Sequence, residues 1–228
     1  MNQTELHIRL HDLGFYSGPA DGAFDQDSKA ALLACLRAGP DFPVTSSEVV
    51  AAAQALSVQE SLIWALYHVA NEGPAFLDGL PVLVFEPHRF SRSTGGAFDD
   101  THPALSAPEW HPALYPDDPA QRWQQLLDAV ALDVDAAFMS ASFGAFRVLG
   151  ENYALCGSVD PFGFALDQAQ SEGAQLDAFV RLIEAKGLTA ALRRGDWATF
   201  AKGLNGTAFR LDDLAGRLAR AHERYMPG

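Results

Sequence analysis

Residues Trp64–Glu86 read WALYHVANEGPAFLDGLPVLVFE, a stretch in which an amphipathic run stops at one carboxylate and a short strand carries another. Leu62, Ile63, Leu66, Val69 and Ala70 recur at helical spacing. Gly73 leaves the helical conformation readily and Pro74 cannot continue it, so the pattern predicts a helix with Glu72 on its last turn. A carboxylate is disfavoured there by roughly 0.3–1 kcal/mol, because the end of a helix carries partial negative charge. That repulsion favours the protonated acid, and an acid that keeps its proton near neutral pH can donate it to a leaving group. The position also suits a solvated glutamate at a frayed helix end. Beyond it, Asp78-Gly79 signals a turn, and Val82-Leu83-Val84-Phe85 reads as a strand or half of a small hairpin that ends at Glu86, before Pro87 and His88.

Upstream, Thr45-Ser46-Ser47-Glu48 has the form of a capping box that opens a helix through Leu56, and Ser57 with Glu60 is read as opening the next. Pro40 to Pro43 reads as a linker. Before it, Leu6, Leu10 and Leu13 form one apolar stripe ending at Gly14, and Ala30, Ala31, Leu33 and Ala34 begin a second helix after Asp25 to Ser28. Dense turn signals, Tyr16-Ser17-Gly18-Pro19 and Asp21-Gly22, separate the two. His7 and His11 share helical spacing but lack a third ligand, and both are expected to be exposed.

Downstream, Ser91 to Pro119 is rich in proline and glycine with little periodicity, and reads as a long ordered loop or lid. His102 and His111 within it have no ligand spacing and are expected to be solvated or hydrogen-bonded. Trp123, Leu126, Leu127, Val130 and Leu132 mark a return to helix, continuing to about Met139. In SASFGAFRVLGENY the small residues Ser140, Ala141, Ser142 and Gly144 suit a backbone approached closely by another helix or by a ligand. A helix spans Glu172 to Lys186, Asp196 can cap WATFAKGL, Asn205-Gly206 turns the chain, and Asp212 or Asp213 opens a last helix. The fold class is therefore mainly α, with a small β-hairpin or strand pair near Glu86.

The 228 residues are 48% hydrophobic and 20% charged, a globular composition long enough for one sizeable core or a domain plus a small module. A formal net charge of −13 argues against a nucleic-acid partner, because such binding rests on Lys and Arg neutralising phosphates. No apolar run approaches the roughly 20 residues of a membrane span, so no membrane insertion is expected. The N-terminus MNQTELHIRL lacks the basic flank and apolar centre of a secretory signal, so synthesis in the cytoplasm is expected. The two cysteines, Cys35 and Cys156, form no metal-binding motif, and no cofactor or metal is implied.

Two resemblances sharpen this reading. LHDLGFYSGPADGAFDQDSKAALLA is similar to the small helical peptidoglycan-binding domain, matching its pattern at Leu13, Gly14, Tyr16, Gly18, Pro19, Asp21, Gly22 and Phe24. It departs at Asp25 and Ser28, and the third helix is shortened or missing after Gly39-Pro40, so residues 1–41 would be a truncated module; the same residues also read as a helical hairpin packed on the main domain. From Thr45 onward the chain resembles the N-acetylmuramidase domain of phage endolysins, through AAAQALSV, VANEGPAF, DGLPVLVFEPHRF, SASFGAFRVLGENY, SEGAQLDAF and GDWATFAKGLNG in order. The resemblance implies a lysozyme-like helical catalytic domain over residues 44–228, acting on peptidoglycan as a monomer. It places the family's catalytic glutamate on Glu72.

Glu86 is then the nearest second carboxylate, or a strut that orients the strand and His88. His88, Ser142, Arg147, Tyr153 and Asn205 are candidate substrate ligands, with Asn152 read as a structural cap. Phe143, Arg147 and Leu204 replace the family's usual residues near the expected cleft. Arg147 could stabilise the Glu72 carboxylate, pair with Glu86, or bind a lactyl carboxylate of muramic acid. Two other outcomes stay open: an impaired protein that binds the wall without turnover, and a lytic transglycosylase. Without a signal peptide, the protein would reach the wall or periplasm through a holin pore, a secretion apparatus or lysis.

Overall fold

The computed structural model describes residues 1–70, 73–205 and 213–225, with the side chain of Asn205 excepted. The chain opens with α1 (Gln3–Asp12), whose N-cap Asn2 forms a reciprocal capping box with Glu5. Helix α2 (Gln26–Leu36) follows, capped by Asp25, which accepts from the Ser28 N–H. Leu6 and Leu10 are fully buried, but Leu13 caps α1 and is exposed. The expectation for His7 fails: it is fully buried, with Nε2 2.9 Å from the Ser28 hydroxyl and its ring stacked on Tyr16. The stack on Tyr16 and the Ser28 partner offset the burial of the ring, although Nδ1 has no hydrogen-bond partner among the described residues.

These two helices share one apolar core with the rest of the chain. Arg9 pairs with Asp160 and lies over the Phe162 ring, and Lys29 pairs with Asp128 at 2.7 Å. The Pro40–Pro43 segment is also tied down, through Asp41 N–H to the Gln170 carbonyl (3.1 Å) and Glu172 N–H to the Phe42 carbonyl (3.0 Å).

Helix α3 (Ser46–Leu56) starts at the expected capping box of Thr45 and Glu48. Ser57 closes this helix in the left-handed region (φ 50°), so it does not open the next; α4 spans Glu60–Ala70. A tight hairpin pairs β1 (Phe76–Leu77) with β2 (Leu80–Pro81). Asp78 and Gly79 both take positive φ, 51° and 74°, as the favoured two-residue turn demands. The strand expected before Glu86 is β3 (Leu83–Phe85).

Two departures follow. Pro87–Ser93 is a helix, α5, so the long loop begins later than the proline count implied; Pro87 fills its first turn, where no N–H is needed. SASFGAFRVL, read only as small residues, forms β4 (Ala141–Phe143) and β5 (Val148–Leu149), and β4 is the centre of a three-stranded antiparallel sheet ordered β3-β4-β5. Its register sets Leu83 against Phe143 and Ser142 against Leu149. Phe143 is consequently fully buried against Phe164 and lies in the core, away from the cleft where it was expected.

Helices α6 (Pro119–Val130) and α7 (Val134–Met139) precede that sheet strand. The remaining helices are α8 (Pro161–Gln168), α9 (Glu172–Ala185), α10 (Thr189–Arg193), α11 (Trp197–Asn205) and α12 (Leu214–Tyr225). Asp196 caps α11 by accepting from the Thr199 N–H, as expected. Helix α12 packs along α4, and Arg217 donates to the Val69 carbonyl. No single helix among the described residues is long and apolar enough to cross a membrane.

Candidate active site

The end of α4, the small sheet and helices α9, α11 and α12 enclose a cleft of about 1080 Å³. That volume suits an extended ligand, since pockets for single small molecules run to roughly 1,000 Å³. Val69 and Ala70 line it on one side of the acid-bearing segment, and Gly73 and Pro74 on the other. Glu72 itself lies outside the described residues, as do Asn71 and Gly206.

Strand β3 delivers Glu86 to the cleft, and α5 begins immediately after it. Glu86 occupies the N-cap position but makes no capping bond with its side chain. Its Oε2 instead accepts from Arg89 Nε at 2.6 Å and lies 3.5 Å from His88 Nε2. Arg89 also donates to Glu151 Oε1 at 2.5 Å, and Arg92 to Glu151 Oε2 at 3.1 Å. Burial works against the charge on Arg89, but the two carboxylates outweigh it and hold the guanidinium above its ordinary range. The network clamps α5 to the 150–152 turn, and of the three roles open to Arg147 the pairing with Glu86 is not formed: Glu86 is engaged by Arg89.

His88 Nδ1 sits 2.9 Å from the Tyr115 hydroxyl. Burial depresses the imidazole below its ordinary range, with Glu86 opposing and Arg89 and Arg92 assisting. Burial, reinforced by Glu86, pushes the Tyr115 phenol well above its own. Because Glu86 lies 3.5 Å from Nε2, the tautomer with its proton on Nε2 is the one that suits the carboxylate, and in that tautomer Nδ1 accepts from the Tyr115 hydroxyl. Trp110 lines the same wall, 58% exposed, with its ring centroid 5.9 Å from that of Tyr115. An exposed indole face beside polar groups suits a sugar ring, which has an apolar face and a hydroxyl rim.

Ser142 lines the cleft from the middle of β4, with its hydroxyl directed at the Val84 carbonyl over a long 3.5 Å. Arg147 lines it from the turn between β4 and β5, at φ 49°, and has no carboxylate partner among the described residues. Its guanidinium is held below its usual range by burial and by the charge of Arg122. The turn is held from behind by Gln175, whose Oε1 accepts from the Ala145 N–H at 2.8 Å and whose Nε2 donates to the Gln168 carbonyl at 2.9 Å. Leu204 and Gly203 of α11 line the cleft just before Asn205.

Tyr153 packs against the core and is not among the lining residues, whereas Asn152 borders the cleft and also makes the local structural bond expected of it, its Nδ2 donating to the Leu149 carbonyl at 3.3 Å. The reading of the sequence passed over Arg89, Glu151, Trp110, Tyr115 and Gln175. For Arg89 a signal existed, the i,i+3 spacing from Glu86 on a helix, but only once Pro87 is recognised as opening that helix.

A mainly helical body with a small sheet beside a glycan-sized cleft, and carboxylates at its wall, defines a lysozyme-like glycoside hydrolase. The sequence model of N-acetylmuramidase matches residues 59–226, about three quarters of the chain, and the protein belongs to that family of peptidoglycan hydrolases. A solved structure, the Burkholderia AP3 phage endolysin, superposes with a TM-score of 0.73 at 29% identity, covering 98% of this chain and 94% of that one. That overlap takes in α1 and α2 as well. A search of curated proteins found no match.

Proposed function

We propose that the chain hydrolyses the β-1,4 bond between N-acetylmuramic acid and N-acetylglucosamine, with Glu72 as the general acid. The observation that carries this reading is that Val69, Ala70, Gly73 and Pro74, on both sides of Glu72, line the same cleft as Glu86 and His88. Glu72 protonates the leaving oxygen while positive charge develops on the sugar. Glu86 is the second carboxylate of the site. Because Arg89 holds one of its oxygens, its role is to position the His88–Tyr115 pair and to present negative charge toward the developing cation. Ser142, Arg147, Asn152 and Asn205 supply hydrogen bonds to the glycan, and Trp110 a stacking face. Residues 1–41 form a peptidoglycan-binding-like module on a catalytic part of residues 44–228, and the protein acts on the wall after release from the cell that makes it.

Replacing Glu72 by Gln should lower the rate of sacculus digestion by about 10²–10⁴, the usual worth of a general acid. Mass spectrometry of the digest should show reducing muramic ends. Anhydro ends would make the protein a transglycosylase, and an undiminished rate for Glu72→Gln would remove Glu72 from the chemistry.

A further inference from the structure

A second depression of about 310 Å³ opens off the main cleft, and Gly73, Pro74, Val82 and Arg147 line both. Its walls come from α2, the β1–β2 hairpin, the start of α6 and the β4–β5 turn. Three of its lining residues are arginines: Arg37, Arg122 and Arg147. Arg37 Nε donates to the Asp78 carbonyl at 3.3 Å and Arg122 Nε to the Pro116 carbonyl at 2.8 Å, which leaves their terminal nitrogens without a protein acceptor among the described residues. Neither they nor Arg147 form an ion pair there, although Asp78 lines the same groove. In a chain with 29 acidic and 16 basic residues, guanidiniums left unpaired around one groove run against composition. Like charges gathered without a counter-ion are unfavourable: after burial, which is the larger cause, the Arg122 charge also holds the Arg147 guanidinium below its ordinary range. Arg147 also holds a left-handed backbone conformation that side chains rarely adopt, of the kind that persists at ligand-binding turns. Between the arginines the wall is apolar, with Leu33, Leu80 and Trp123.

We infer that this groove is a subsite for the peptide stem of peptidoglycan, binding the stem's carboxylates through Arg37, Arg122 and Arg147 and its alkyl portions on the apolar wall. The inference rests on the reading of the main cleft as the glycan site. A muramic residue held there carries its stem on the lactyl group, and the groove is the adjoining space with unpaired cations. Guanidinium forks match carboxylates in geometry and charge. Because Arg37 is the C-cap of α2, the N-terminal helices contribute directly to substrate recognition, and the subsite exists only with them docked on the main body.

The test compares soluble glycan strands that carry stems with the same strands stripped by an amidase, and reads the ratio of their kcat/KM values. The double variant Arg37→Gln, Arg122→Gln should lower that ratio at least about tenfold, and restoring charge with Arg122→Lys should recover part of it. An unchanged ratio overturns the subsite, and so does an equal fall on both substrates. A soluble stem peptide titrated into the full chain should bind, and the double variant should lose that binding. Competition by inorganic phosphate as effective as that of the stem peptide, at matched ionic strength, would make the groove a general anion site and overturn the assignment. Should neither strand be cleaved by the unmodified protein, the glycan reading fails by itself, and the peptide titration still decides the groove.

Discussion

Replacing Gln175 by Leu tests how the cleft is held in shape. Gln175 is fully buried in α9, and its amide satisfies the Ala145 N–H at 2.8 Å and the Gln168 carbonyl at 2.9 Å. Gly144, at φ 70°, packs so closely that a Cβ there would stand 2.4 Å from the Gln175 Cδ. Leucine nearly conserves the volume, so the cavity contribution is small, but it leaves two buried backbone groups unpaired. Each such orphan costs about 1–3 kcal/mol, partly offset because the mutant buries no amide of its own, which gives a net loss of about 2–4 kcal/mol. With a urea slope of about 2 kcal/mol/M, the unfolding midpoint should fall by about 1–2 M. The turn from Ala145 to Arg147 lines the cleft, so sacculus digestion should also slow in conditions where the variant is still folded. A midpoint unmoved within about 0.2 M, with full activity, would refute the claim that this amide supports the turn.

Other consequences can be measured directly. Gly39→Ala would set a Cβ 1.9 Å from the Ala169 carbonyl oxygen, a backbone atom that cannot rotate away, and should destabilise the chain by at least about 2 kcal/mol in the same urea titration. His88 takes up a proton less readily when folded than at its ordinary value of 6.5, so the stability it contributes is full above about pH 6.5 and is lost as pH falls through it; His88→Gln should flatten that loss in thermal melts. Tyr115 holds its proton more firmly when folded, so its contribution is full below its ordinary pKa of 10.0 and declines as pH rises beyond it, a slope that Tyr115→Phe should remove. Cys35 and Cys156 are buried, with thiols pushed up to about 11 by burial, so a thiol reagent at pH 8 should label neither in the native protein and both in urea. Trp110→Ala should raise KM for glycan strands several-fold while leaving the unfolding midpoint in place, because the side chain is largely exposed.

What could be read from sequence alone was local or inherited from a family pattern. Caps at Thr45 and Asp196 and the Asp78-Gly79 hairpin turn are legible because each depends on residues at most three positions apart. The ordered motifs assign the N-acetylmuramidase family, and with it the mainly α lysozyme-like fold. The misreadings arose where pairing across space overrode local signal. SASFGAFRVL carries too few β-branched residues to announce strands, yet β4 becomes a sheet centre because β3 and β5 satisfy its backbone on both sides. Phe143 is drawn into the core by the same register. Only the tertiary structure decides that Arg89, already within local reach of Glu86, also meets Glu151, 62 residues beyond it, and that His88 faces Tyr115. Only it gathers Arg37, Arg122 and Arg147 around one groove. Spacing along a chain specifies helices and turns, because their hydrogen bonds close within a few residues. Which charges meet across a cleft depends on how those elements pack, and that no short window of sequence contains.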